Sequence, residues 1–144
     1  MIVLMDANLS SPALTARLNA ESEQYGCTFR VLPQHARRFD DDELPEVCQS
    51  EGAVALLTNN RHDFSVEVTL YQALIEADVS AVVLRLPNSR TERPDLDWLT
   101  ARVLKHLPRI IRDLENADQS LLLTVRKDRV KTNPVSELLR NRLA

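Results

Sequence analysis

The chain of 144 residues contains little glycine, little cysteine and few aromatic residues. Two glycines cannot form the glycine-rich phosphate loop of a P-loop protein or of a Rossmann dinucleotide-binding domain, so both classes are excluded. Cys27 and Cys48 stand in no metal-binding or redox spacing, and we expect buried, reduced thiols. The aromatic residues are not interleaved with basic ones, which disfavours a base-stacking surface for single-stranded nucleic acid.

The sequence also lacks long apolar stretches and targeting signals. No apolar run approaches the length needed to span a membrane, and no signal peptide precedes the first predicted strand. We therefore expect a cytoplasmic protein with no membrane partner. There is no G-x-S-x-G nucleophile motif, and the three histidines show no zinc-binding spacing.

Charge is distributed unevenly along the chain. The net charge of −3 argues against a protein that is basic throughout, as many nucleic-acid binders are. Residues 126–144, however, carry six basic side chains against two acidic ones, so a basic end follows an acidic body. This pattern suggests contact with an anionic partner or a docking tail, and a solvated tail is the alternative interpretation.

Apolar runs alternate with amphipathic segments along the chain. This order predicts a single α/β domain with a mainly parallel central sheet of about five strands, flanked by helices. Pro108 should kink or split the longest helix. A hairpin should end near residue 131, so we place the domain at residues 1–131 and a basic tail at residues 132–144. The predicted strands are residues 1–5, 28–32, 53–57, 80–86 and 121–125, and the predicted helices are residues 10–26, 40–52, 66–77 and a long one from residue 95.

Acidic residues stand at three of the predicted strand and helix ends. Asp6 follows the first strand, Asp41 and Asp42 open the second helix, and Asp63 follows the third strand. The carboxyl ends of parallel strands meet at one edge of a sheet, and carboxylate oxygens suit Mg²⁺ or Mn²⁺. Such a site activates a water and stabilises the leaving oxygen of a phosphodiester. Turn formation by Asp6 and helix capping by the other acids are the simpler alternatives.

Polar residues beside these acids are candidates for orienting water or substrate. Each of them is also a common turn or surface residue, so the alternative for any single one is structural. The candidates for substrate binding are Asn8, Thr58, Asn60, Arg61 and His62.

Four short motifs occur in an order that is typical of one family. They are Asp6-Ala7-Asn8-Leu9-Ser10, Asp41-Asp42-Glu43-Leu44, Thr58 with Asp63-Phe64, and Val83-Leu84-Arg85-Leu86-Pro87-Asn88. On these motifs the chain resembles the small bacterial PIN-like domains, which are relatives of the PIN-domain ribonucleases found as toxins of toxin–antitoxin pairs. The resemblance covers roughly residues 1–131.

The resemblance implies a nuclease that uses Mg²⁺ or Mn²⁺ to hydrolyse RNA, with an antitoxin protein as a partner. It implies Asp6 as the central metal ligand, completed by Asp41 or Asp42 and by Asp63, with Asp6, Asp42 and Asp63 as the catalytic set. A homodimer is a further expectation, although no sequence feature locates its interface.

The third motif departs from the family pattern. The segment from Thr58 to Phe64 is one residue longer, so the first acid of the pattern falls on Asn60 or on Arg61. An asparagine offers a metal an oxygen without charge, which should lower the affinity for a cation. The alternative function is therefore a catalytically weakened PIN-like module that binds or regulates.

Overall fold

One six-stranded sheet organises the protein, and the computed structural model describes residues 1–59, 68–87 and 94–144. The strand order is β2-β1-β3-β4-β5-β6; β1 to β5 are parallel to their neighbours, and β6 is antiparallel to β5. This confirms the predicted α/β class, with the predicted hairpin adding a sixth strand. The strands are β1 Ile2–Met5, β2 Thr28–Val31, β3 Ala55–Thr58, β4 Ser80–Leu84, β5 Leu121–Val125 and β6 Val130–Pro134.

Helices cover both faces of this sheet. In the described part of the chain, α1 and α4 pack on the face that carries Val3 and Met5, and α2, α3 and α5 pack on the face that carries Leu4. Neighbouring residues of β1 thus point into opposite cores, as expected for a strand buried on both sides. The helices are α1 Pro12–Ser22, α2 Leu44–Ser50, α3 Val68–Ala77, α4 Leu96–Glu115 and α5 Val135–Leu143.

Local sequence signals determine where several helices begin and end. The Ser11 hydroxyl accepts a hydrogen bond from the Leu14 N–H at 3.2 Å, and Pro12 occupies the first turn of α1. Gly26 and Gly52 both adopt φ +72°, the left-handed conformation that terminates a helix and that glycine adopts without strain. These features agree with the predicted helix limits near residues 10, 26 and 52.

Pro108 does not split the longest helix. Residues Leu96–Glu115 form one helix that contains Pro108. Pro108 is exposed, and the residues around it on the buried face, Leu107 and Ile110, stay packed in the core. Proline lacks the N–H that would donate to the Leu104 carbonyl, and the packing of the buried face keeps the helix continuous across this missing hydrogen bond.

The C-terminal segment is part of the fold. Residues 130–134 pair with β5 from Leu121↔Pro134 to Val125↔Val130, so the predicted domain end at residue 131 lies inside β6. Val135 is fully buried, and Leu138 and Leu139 pack against the same core, because apolar residues three and four apart share one helix face. The prediction that residues 132–144 form a basic tail outside the domain is therefore wrong.

Two further expectations concern the thiols and the membrane. Cys27 and Cys48 are buried and free, as expected, and burial raises the pKa of Cys27 to about 11 and that of Cys48 to about 12. Within the described ranges, no helix has both the length and the apolar character required for a transmembrane span.

Candidate functional site

The order in which strands are added to the sheet reverses at β1, so a topological switch point lies between β1 and β3. After β1 the chain adds β2 on one side, and it then adds β3 on the other side of β1. In open α/β sheets, the crevice at such a switch point, beyond the carboxyl ends of the strands, is the usual ligand site. Asp6 directly follows β1 at this position, and its N–H donates to the Leu57 carbonyl at 2.9 Å. The predicted meeting of the first and third strand ends is thereby confirmed.

The Asp6 carboxylate is buried and hydrogen-bonded. The residue is 4% exposed; Oδ1 accepts from the Leu9 N–H at 3.1 Å, and Oδ2 accepts from the Thr58 hydroxyl. Burial raises the pKa of Asp6 above its ordinary value, while the Thr58 hydroxyl and the N–H groups of Leu9, Asn8 and Asn59 oppose that rise. Burial of the carboxylate destabilises the fold, and the hydrogen bonds to its oxygens offset part of that cost.

Ser10 holds the ends of two neighbouring strands together. Its hydroxyl lies 2.8 Å from the Met5 carbonyl and 2.7 Å from the Asp6 carbonyl, and it accepts from the Leu32 N–H at 2.9 Å. The turn after Asp6 is closed by the Leu9 N–H, which also lies 3.1 Å from the Asp6 carbonyl oxygen. The motif Asp6-Ala7-Asn8-Leu9-Ser10 therefore has a structural purpose, because it fixes the turn that orients the carboxylate.

Two of the predicted substrate-binding residues lie beside Asp6 in different environments. Thr58, the last residue of β3, is fully buried, and its hydroxyl donates to Asp6. Asn8 is exposed at the turn, where its side chain is open to solvent. The position of Thr58 suits a residue that positions the carboxylate, and the position of Asn8 suits one that contacts a ligand.

A second acidic group lies at the start of the α2 segment. Asp40, Asp42 and Glu43 are all exposed, and each offers one carboxylate oxygen within 4.8 Å of the others, so the group could bind a metal ion. Asp41–Glu43 form a 3₁₀ turn, and the Asp40 N–H donates to Glu43 Oε1 at 3.0 Å, so Glu43 also serves the helix start. The half-buried Asp41 is not a member of the group.

Asp40 and Glu43 were not among the predicted ligands. Their spacing of three residues, with an acid at each end, is the pattern of a capping box, and it brings the two side chains to one side of a helical turn. This spacing is the sequence signal that points to Asp40 and Glu43. Asp42 itself lines a groove of about 340 Å³ together with Glu46 of α2 and Glu76 of α3.

The predicted three-segment metal centre stays a prediction. In residues 1–59, 68–87 and 94–144, the acidic group that could hold an ion contains Asp42 and does not contain Asp6. The segment after β3 supplies the other predicted members, and these lie outside the described residues: Asn60, Arg61, His62 and Asp63.

The donor chemistry fits a hard divalent cation to different degrees at the two acidic groups. Carboxylate oxygens are the ligands that Mg²⁺ and Mn²⁺ prefer. At Asp6 the Leu9 N–H and the Thr58 hydroxyl already donate to the carboxylate, so a cation there competes with these donors for its lone pairs. Asp40 and Asp42 are exposed, so a cation reaches their oxygens without that cost, although water competes for exposed acids.

A search of protein-family models, of curated proteins and of solved structures found no match to this chain.

Proposed function

We propose that the protein is a metal-dependent ribonuclease of the PIN-like type, acting as the toxin of a toxin–antitoxin pair. One observation carries the proposal: a buried carboxylate, Asp6, lies at the switch point of a parallel sheet and is oriented by two hydrogen bonds. A surface acid that merely begins a turn does not need this burial. Burial of a carboxylate is costly, and buried ionisable groups in a crevice are concentrated at functional sites.

The proposed mechanism assigns metal binding, orientation of the carboxylate and orientation of the substrate to different residues. Asp6 would hold Mg²⁺ or Mn²⁺ together with Asp41 or Asp42 and with Asp63, and Thr58 would fix the direction of the Asp6 oxygens. The cation, when bound, supplies an activated water and stabilises the leaving oxygen of the phosphodiester. Asn8, exposed beside the carboxylate, is placed to orient a phosphate oxygen or a water.

The test compares RNA cleavage by the wild-type protein and by Asp6→Asn, with Mg²⁺ or Mn²⁺ and with a chelator. The substitution keeps the shape of the side chain and removes the charge. We expect cleavage by the wild type to require the metal, and we expect Asp6→Asn to lose about 100-fold or more in rate because the water loses its metal-held position.

The matched control is Asp118→Asn, which makes the same chemical change at an exposed acid just before β5, at the opposite edge of the sheet. This variant should cleave as the wild type does. Equal cleavage by Asp6→Asn and the wild type, or cleavage that survives the chelator, would contradict the proposal. Asp42→Asn and Asp63→Asn then rank the other proposed ligands.

The alternative function is a PIN-like module that binds RNA or a protein without cutting. The specific observation in its favour is that both Asp6 oxygens already accept hydrogen bonds from the protein, so they are less available to a cation. A wild-type protein that binds RNA but does not cleave it, with either metal present, would favour this alternative.

A further inference from the structure

The carboxyl ends of the parallel strands form one edge of the sheet, here called the carboxyl edge. Asp6 lies in its β1–β3 half, and the half formed by β4, β5 and β6 is basic. Arg85 directly follows β4 and Arg126 directly follows β5, and the Arg85 N–H donates to the Val125 carbonyl at 3.0 Å. Arg129 precedes β6, and its carbonyl accepts from the Arg126 N–H at 2.8 Å. Arginines thus stand at three neighbouring strand ends, on the same edge of the sheet as Asp6.

Helix α4 anchors the tight turn between β5 and β6. Lys105 Nζ donates to the Lys127 carbonyl at 2.8 Å, and His106 Nε2 donates to the same carbonyl at 3.1 Å. His106 is buried, so this anchor is part of the packed helix and not a loose surface contact. A loop held in one conformation loses little conformational entropy when it binds a ligand.

The one acid of this turn is neutralised within the protein. Lys105 Nζ lies 3.2 Å from Asp128 Oδ1, and this hydrogen bond, with the charges of Lys105, Lys127 and Arg102, holds the pKa of Asp128 below its usual range. Arg126, Lys127 and Arg129, here called the basic hairpin, form no ion pair with any residue that the structure describes. Lys127 and Arg129 are exposed, so their positive charge is available to an outside partner, whereas Arg126 is half-buried and its Nε is buried.

The basic surface continues along α4 with an aromatic side chain. The Arg102 guanidinium lies 4.4 Å from the centre of the Trp98 ring, which places it in cation–π contact. Trp98, Arg102 and Lys105 follow one another at three- and four-residue steps, so they line one side of the helix. Trp98 is the one tryptophan of the chain.

We propose that the basic hairpin, with Arg102 and Lys105, binds the phosphate backbone of single-stranded RNA and leads it along the carboxyl edge toward Asp6. Three strand spacings separate β5 from β1, which is about 14 Å, a distance that a few nucleotides of extended RNA span. Guanidinium groups match the geometry of phosphate oxygens. The inference rests on the proposed function for the identity of the anion.

RNA fits this surface better than a membrane does. Binding to a lipid surface by a short element needs apolar side chains that enter the bilayer. The tip of the basic hairpin carries Lys127 and Asp128, both exposed and both polar, and offers no such side chain.

The test measures binding in the presence of a chelator, so that cleavage cannot interfere. A fluorescently labelled single-stranded RNA of roughly 12 nucleotides is titrated with protein and followed by anisotropy, and quenching of Trp98 fluorescence gives an independent readout. The double variant Lys127→Glu/Arg129→Glu should lose roughly 20-fold in affinity at 0.1 M salt, and its affinity should depend less steeply on salt.

The matched control is Arg30→Glu/Arg140→Glu, which makes the same change in net charge at exposed residues of β2 and α5. It should bind RNA far more tightly than the hairpin variant. Equal losses in the two double variants, no loss in the hairpin variant, no binding by the wild type, or tighter binding to anionic lipid vesicles than to RNA would each overturn the inference.

The two proposals can fail separately. The binding assay contains a chelator and reports on the basic hairpin, whereas the cleavage assay contains the metal and reports on Asp6. Loss of binding in the hairpin variant, in a protein that never cleaves RNA, would support the basic surface and refute the nuclease. Metal-dependent cleavage by a protein whose RNA binding is unchanged in the hairpin variant would support the nuclease and refute the basic surface.

Discussion

The two halves of the carboxyl edge present charge in opposite ways. At the β1–β3 half, one carboxylate is buried and bonded to the Thr58 hydroxyl and the Leu9 N–H. At the β5–β6 half, the charges are several, and Lys127 and Arg129 are exposed on a turn that α4 holds in place. Buried charge is costly and depends on its nearest donors, whereas exposed charges cost little and act together over distance.

This difference predicts how each half responds to substitution. A single change near Asp6 should alter stability, because the buried carboxylate has few donors and cannot recruit water to replace one. A single change in the basic hairpin should leave stability unaltered and should change affinity for an anion. The following predictions run from the largest expected effect on stability to the smallest.

Thr58→Val should have the largest effect. It keeps the shape of the side chain but removes the donor to Asp6, so a buried carboxylate loses a hydrogen bond, at a cost of about 2 kcal/mol in the free energy of unfolding. The pKa of Asp6 should rise further. Denaturant unfolding at neutral pH measures the loss.

Two comparisons identify the cause of that loss. Thr58→Ser keeps the hydroxyl and loses one methyl group, so it should cost about 1 kcal/mol. In the Asp6→Asn background, Thr58→Val should cost less than in the wild type, because the neutral amide depends less on the donor. An undiminished cost in that background would show that the loss comes from packing and not from the carboxylate.

Asp6→Asn should change how stability depends on pH. The pKa of Asp6 is raised in the fold from its ordinary value of 3.8, so the wild type gains stability from protonation at low pH and loses it as pH rises through the folded pKa. The variant lacks this loss. It should be more stable than the wild type at neutral pH by about 1 kcal/mol, and the gain should shrink as pH falls through the folded pKa and vanish below the ordinary pKa.

Thermal unfolding of both proteins across the acid range, in a chelator, measures this difference. Asp118→Asn, at an exposed acid, should differ from the wild type by the same small amount at every pH. A gain for Asp6→Asn that does not vary with pH would contradict the assignment of the effect to the Asp6 charge.

Asp128→Asn should have the smallest effect on stability and a measurable one on binding. Removal of the one acid in the turn frees Lys105 and raises the local positive charge, so affinity for single-stranded RNA should increase about threefold at 0.1 M salt. The melting temperature should stay within error of the wild type. Asp118→Asn serves again as the control, and an unchanged or weaker affinity in Asp128→Asn would contradict the role given to the turn.

Much of the fold was predictable because its signals are local. Short apolar runs predicted the five parallel strands, and the serine cap before Pro12 and the stops at Gly26 and Gly52 depend on neighbours a few residues away. The course of the C-terminal segment was not predictable in this way. Val135, Leu138 and Leu139 form too short a pattern to show that α5 packs on the sheet, because that packing depends on α3 and on Ser120.

The candidate site also has a part that local sequence predicts and a part that depends on tertiary contacts. Asp6 was recognisable because an acid stood directly after a buried strand, and a parallel sheet puts ligands there. The partner of its carboxylate, Thr58, lies 52 residues away, and only the pairing of β1 with β3 makes them neighbours. The acidic group of Asp40, Asp42 and Glu43 needed the turn geometry, which selects Asp42 over Asp41.

The sequence by itself determined the alternation of strands and helices, the helix ends and the identity of the acid after β1, because apolar periodicity and capping act over a few residues. The tertiary structure decided that this acid is buried, that Thr58 orients it, and that Arg85, Arg126 and Arg129 share its edge. Strand order brings together residues far apart in the chain, and burial depends on what every other element covers.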